Sequence, residues 1–126
     1  MNMTEIELHY TKLIQYLEKD MDFGPGIDIH TMLFLIGVEE LGTGYKHYSK
    51  NEKIDLMHVG LCTILEPFGY YAFVGNDEDG WPHFDLKKKL PSLNERGQQN
   101  LVKQAIVDYF IENELVDSQI LEENNK

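Results

Sequence analysis

Asp28-Ile29-His30-Thr31-Met32-Leu33-Phe34-Leu35-Ile36-Gly37-Val38-Glu39-Glu40-Leu41-Gly42 is the stretch on which the fold turns. Asp28 is a preferred N-cap residue, able to accept an N–H that the first helical turn leaves without a partner. Gly42-Thr43-Gly44 stops the helix at about Leu41. Between these signals Ile29, Met32, Leu33, Phe34, Leu35, Ile36 and Val38 are apolar almost all round. A helix without a polar face must be covered by other elements, so this one is expected at the centre of its fold.

The flanking sequence supplies that cover. Upstream, Thr4 and Glu7 have capping-box spacing. Ile6, Tyr10, Leu13, Ile14, Leu17 and Met21 then recur at helical spacing until Gly24-Pro25-Gly26. Downstream, Ser49 and Glu52 form a second capping box and open a third helix, predicted to reach about Phe68. Ile54, Met57, Leu61, Leu65 and Phe68 mark its expected core stripe. Leu56, Val59 and Ile64 lie off that stripe, so this helix too reads as central. Pro67 sits at its end, where it removes few helical bonds.

The pattern changes after the third helix. Tyr70 to Val74 is aromatic and β-branched and reads as a strand. Asn76-Asp77-Glu78-Asp79-Gly80 is a turn, and Trp81 to Leu86 reads as the returning strand of a hairpin. Pro82 cannot donate to a ladder, which places that strand at an edge. Pro91-Ser92-Leu93-Asn94 leads into a last helix, about Glu95 to Asn113. Leu101, Val102, Ala105, Ile106, Tyr109 and Phe110 make its core face. The tail from Asp117 to Lys126 is compatible with a helix or a frayed end. The expected fold is mainly α: one domain over residues 1–126, a bundle of about four helices with a two-stranded β-hairpin between the third and last helices.

Composition narrows the functional classes. The chain has 126 residues, 42% of them hydrophobic, enough for one proper core. Its formal net charge is −11, which repels nucleic acid backbones and anionic lipid surfaces. Arg96 is the single arginine, so the usual bidentate reader of phosphate and guanine is scarce. Lys87-Lys88-Lys89 is short and reads as a solvated strand end. Cys62 is the single cysteine, which excludes an intrachain disulfide and a multi-cysteine zinc site. No apolar run approaches the roughly 18 residues of a membrane span. The first residues lack the basic and apolar regions of a signal peptide, so a cytoplasmic location is expected.

Four stretches carry a resemblance: Ile36-Gly37-Val38-Glu39-Glu40-Leu41-Gly42, Asp55-Leu56-Met57-His58-Val59, Leu65-Glu66-Pro67-Phe68-Gly69-Tyr70-Tyr71 and Asp79-Gly80-Trp81-Pro82-His83-Phe84. Together with the layout of helices and hairpin over about residues 28 to 110, they resemble a family of small acidic proteins of Bacteroidetes-type bacteria. That family carries no assigned function, so the resemblance transfers no site residue.

Several constellations could carry chemistry. His58, Cys62 and Glu66 climb one ridge of the third helix at four-residue steps, with Asp55 beside them. Imidazole, thiolate and carboxylate could bind a divalent metal, but free cysteine commonly behaves as a small hydrophobe. Glu40 falls between Leu33 and Ile36 on a helical wheel; buried there, it would need a partner or a raised pKa, but the helix is close to its end, where the side chain could instead cap local amides, pair with His58 or Lys46, or bend into water. Asp77, Asp79 and Gly80 fit the middle of a calcium loop, yet Gly75 and Leu86 would then occupy its two ends, where the ion needs oxygen ligands. Asp79-Gly80 reads better as a hairpin turn. Tyr70, Tyr71, Phe73, Trp81 and Phe84, with His83 among them, alternate between a face covered by helices and one open to a partner. No nucleophile elbow, phosphate loop or dinucleotide fingerprint is present.

The expected candidate pocket is therefore Glu40, His58, Cys62 and His83, with no cofactor and no metal. The expected interface residues are Val107, Ile111, Trp81 and Tyr71. Val107 and Ile111 form a second apolar stripe on the last helix, which the tail or a second copy in a homodimer could cover. The leading functional expectation is a non-catalytic interaction or self-association domain. The alternatives are a small enzyme or metal-binding protein using Glu40, His58, Cys62 or His83, and an acidic inhibitor, of the immunity or antitoxin type, steered to a basic protein by charge.

Overall fold

The computed structural model describes residues 3–20, 24–44, 46–90 and 95–122. In chain order its elements are α1 (Met3–Lys19), α2 (Ile29–Leu41), α3 (Lys50–Leu65), β1 (Tyr71–Asn76), β2 (Pro82–Leu86), α4 (Glu95–Glu112) and α5 (Ser118–Glu122). The chain is mainly helical, with the antiparallel hairpin between α3 and α4. Two compact units emerge, one from residues 28–92 and the other from residues 1–27 with 93–126.

In the first unit, capping fixes both helix starts. The Asp28 carboxylate accepts the Thr31 N–H at 2.8 Å. Ser49 and Glu52 exchange bonds, the Ser49 N–H donating to Glu52 Oε1 at 2.9 Å and the Glu52 N–H to Ser49 Oγ at 3.1 Å. Gly42 closes α2, its N–H donating to the Val38 carbonyl. Helices α2 and α3 then meet closely enough that a Cβ on Gly37 would overlap the Leu56 carbonyl, and one on Gly60 the Leu33 carbonyl. Leu33 and Gly37 thus match Gly60 and Leu56 in reverse order, so the helices run antiparallel through a glycine-lined crossing.

This crossing corrects the predicted face of α3. Its buried residues are Leu56, Val59, Gly60, Cys62, Ile64 and Leu65. Ile54, expected in the core, is 52% exposed. Met57 and Leu61 are half-buried. The physical reason is the glycine: the closest approach to α2 lies on the Leu56–Gly60 side, and the core follows it. The helix also ends at Leu65, earlier than Phe68, and residues 66–69 form a turn. Tyr48, from the segment before α3, joins Val38 and Leu56 in a small cluster with Trp81 packed against it. Its hydroxyl donates to the Gly44 carbonyl at 3.0 Å.

The hairpin pairs Tyr71 with Leu86, Ala72 with Asp85 and Phe73 with Phe84, and slips register between Phe73 and Gly75. Such a bulge bends a strand and strengthens its twist. The Tyr71 ring meets His58 of α3 edge-on at 6.2 Å, and the Phe73 N–H donates at 2.8 Å to Glu66 Oε2, from the turn that follows α3.

The second unit packs α1 against α4 and α5. Leu13, Leu17, Ile106 and Leu121 are buried in it, with Tyr109 and Phe110 edge-to-face at 5.9 Å. Lys103 Nζ bridges from α4 to Glu7 of α1 at 3.0 Å and lies over the Tyr10 ring. Thr4 falls within α1 rather than before it; its proposed capping bond and the core position of Met21 lie outside what is described. Val107 is 1% exposed, so it belongs to the core and not to the interface expected for it, while Ile111 is half-buried. On the tail, Val116 and Leu121 are buried whereas Leu115 and Ile120 remain exposed.

Candidate functional site

A cleft of about 640 Å³ opens between α3 and the hairpin, wholly inside the unit of residues 28–92. Helix α3 contributes Ile54, Asp55, His58, Val59 and Cys62. Their spacing of one, four, five and eight residues from Ile54 puts them on one side of a helix. The hairpin contributes Asp77, Trp81, Pro82, His83 and Phe84. Three of the four residues expected to form a pocket, His58, Cys62 and His83, do line one cleft, and Trp81 joins them. Glu40 does not line it; in the last turn of α2 its side chain is exposed, contrary to the buried position the helical wheel assigned it.

Asp77 organises the hairpin wall. Its Oδ1 accepts the Asp79 N–H at 2.9 Å and the Trp81 N–H at 3.0 Å. Its Oδ2 lies 2.9 Å from His83 Nε2. These hydrogen bonds, the His83 one foremost, hold the Asp77 carboxyl below the usual aspartate range. The carboxyl is therefore ionised near neutrality and His83 Nε2 donates to it. Gly80, with φ of 86°, closes the turn in the left-handed region that favours glycine. One aspartate thus sets the turn, the Trp81 backbone and the orientation of the imidazole. The sequence offered a signal for this: aspartate commonly bonds the backbone two residues on, and Asp77 precedes a glycine by three positions.

On the helical wall, Cys62 Sγ lies 3.5 Å from His58 Nε2. Burial pushes the Cys62 thiol up to about 11. The side chain is 1% exposed, so at neutral pH it is a protonated, inward group. Tyr71 is raised as well, first by burial and then by its neighbour Cys62. Glu66, the third step of the predicted ridge, does not line the cleft, because its carboxylate holds the Phe73 N–H. Among the described residues no three His, Cys, Asp or Glu side chains are arranged to share a metal ion.

The cleft therefore has apolar and aromatic walls, an ionised and hydrogen-bonded Asp77, a second carboxylate at Asp55, and no lysine or arginine in its lining. The Cys62 sulfur is a protonated thiol, and Asp77 orients the His83 ring through its Nε2. Comparison with protein-family models, curated proteins and solved structures yields no match. Among the described residues no helix is long and apolar enough to cross a membrane.

Proposed function

We propose that the chain is a non-catalytic cytoplasmic interaction domain that holds a segment of another protein in the cleft between α3 and the hairpin. The observation that carries this reading is the composition of the cleft. Trp81, Phe84 and Pro82 face Ile54 and Val59 across about 640 Å³, and an aromatic-rich concave surface with a few fixed polar groups is the usual make-up of a binding site. A free cysteine buried as a thiol accords with a reducing compartment.

The enzyme alternative gains from the convergence of His58, Cys62 and His83 and loses from their state. A nucleophilic cysteine needs a lowered pKa and access, and Cys62 has neither. Self-association through Val107 and Ile111 loses its principal residue to the core. A different protein is therefore the preferred partner.

A photo-crosslinking side chain at Ile54, on the cleft rim, tests the reading inside cells that produce the chain. The expected result is a discrete adduct with another protein, absent when the same group replaces the also exposed Leu8 of α1. Adducts of the same pattern from both positions, or none from Ile54, would refute it.

A further inference from the structure

We propose that the cleft accepts a cationic side chain, arginine or lysine, presented by the partner segment; this rests on the binding reading above. Three features of the lining converge on a cation. The first is charge: Asp55 and Asp77 contribute carboxylates, no lysine or arginine answers them, and the chain carries −11 overall. The Asp77 carboxylate is already shared among two backbone N–H groups and His83. Asp55 is exposed, with no described hydrogen bond, and is the counter-charge left to a ligand.

The second feature is the aromatic wall. A guanidinium or ammonium is attracted to the face of an indole, the strongest of the aromatic partners for a cation. Trp81 is half-buried and held in place, its backbone by Asp77 and its ring against the cluster of Val38, Tyr48 and Leu56. A pre-positioned ring spares the ligand the cost of ordering it. The third feature is the apolar floor. Long cationic side chains lay their methylene stems along apolar surface while the head stays near water and counter-charge, and Ile54, Val59 and Phe84 offer such a surface beside Asp55. An anionic ligand has no comparable reception, because the basic groups of the lining are two imidazoles and one of them already serves Asp77. The overall charge would also steer a basic segment toward this chain at low salt.

Trp81 is the single tryptophan, so its fluorescence and indole N–H resonance report this cleft alone. The purified full chain is titrated with three capped pentapeptides, identical except that the two variable positions are arginine, glutamate or leucine. The expected result is a saturable change at Trp81 with the arginine peptide that weakens as salt rises, and none with the glutamate peptide. Asp55→Asn, an exposed isosteric change whose folding the same spectra verify, should weaken that binding about fivefold, the upper range for an exposed charge pair. Binding of the leucine peptide as well as or better than the arginine one overturns the inference and leaves the binding cleft standing. Arginine-peptide shifts scattered over the acidic surface and indifferent to Asp55→Asn also overturn it. Silence of Trp81 toward all three peptides overturns both the inference and the reading beneath it.

Discussion

Gly37 of α2 lies so close to the Leu56 carbonyl of α3 that no side-chain carbon fits between them. The same relation holds in reverse between Gly60 and Leu33. Glycine inside a helix costs about 1 kcal/mol relative to alanine, so each of these glycines trades local helix stability for a backbone-to-backbone approach. That approach fixes which side of α3 is core and which side, carrying Ile54, Asp55 and His58, is left to line the cleft.

Gly37→Ala is accordingly expected to destabilise the protein despite the better helix propensity of alanine. The obstructing atom is a backbone carbonyl, not the movable end of a side chain. Overpacking costs roughly 1 to 3 kcal/mol, and a rigid obstacle takes the upper end. After the propensity gain, a net loss of about 2 kcal/mol remains. Urea denaturation measures it, and a midpoint raised by the substitution would show that the helices do not cross at this glycine.

Leu56→Ala and Leu61→Ala separate the two possible faces of α3. Leu56 is 0% exposed, so its truncation should cost roughly 2 to 5 kcal/mol. Leu61 is half-buried, and losing about half of its transfer free energy costs about 1 kcal/mol. Equal shifts in the denaturation midpoint, or the reverse order, would restore the stripe read from periodicity.

The contrast shows what the sequence discloses. The caps at Asp28 and Ser49-Glu52 were legible because capping is chemistry among residues three apart, complete before any tertiary contact forms. The hairpin was legible from Asp77 to Gly80 for the same reason. The face of α3 was not, because apolar residues lie on both its sides and periodicity cannot choose between them; the glycine at position 60 held the information. Tyr48 belongs to no periodic segment, so nothing in the pattern announced its burial. His58, Cys62 and His83 were identifiable one by one as chemically capable. Their meeting depends on the hairpin folding back onto α3, a tertiary event about which spacing is silent. Glu40 failed because a helical wheel assumes cover along the whole helix, and at the last turn of α2 the side chain reaches solvent.

Lys12 presents an opportunity for stabilisation. Its side chain is 9% exposed, and no described group accepts a hydrogen bond from its Nζ. A buried polar group without a partner costs roughly 1 to 3 kcal/mol. Lys12→Met keeps the length and removes the charge, so it should raise stability by an amount in that range, read as a higher melting temperature. A lower melting temperature would mean that the ammonium is favourably placed.

Asp77 should confer a pH dependence on the hairpin. Its folded pKa lies below the ordinary 3.8, so its bonds to Asp79, Trp81 and His83 favour the ionised form. A depressed carboxylate contributes stability that is fully present above its unfolded value and is lost as pH falls through the lower folded value. The amide resonances of Asp79 and Trp81 should therefore follow a titration whose midpoint lies below 3.8. Asp77→Ala should displace both amides at every pH. A midpoint above 3.8 would contradict the hydrogen-bonding pattern.

Cys62 decides between a holding cleft and a reactive one. The attacking species in thiol chemistry is the thiolate, and a thiol raised to about 11 by burial is almost wholly protonated at pH 8. His58 Nε2 lies 3.5 Å from Sγ, yet burial dominates and holds the thiol up. Reaction with a disulfide reagent such as dithiobisnitrobenzoate should therefore be slow in the native chain and fast in urea, where the thiol returns to its ordinary pKa near 8.5 and to full access. At pH 8 the thiolate fraction alone predicts a gap of roughly two hundredfold, with shielding of the sulfur widening it. Because local opening can expose the sulfur, the native rate should rise as denaturant is added well below the midpoint. His58→Ala should leave the native rate unchanged if the imidazole only packs against Tyr71 and the thiol. A native rate matching that of the unfolded chain, falling sharply in His58→Ala, would reveal an imidazole-activated thiolate and put the enzyme reading ahead of the binding one.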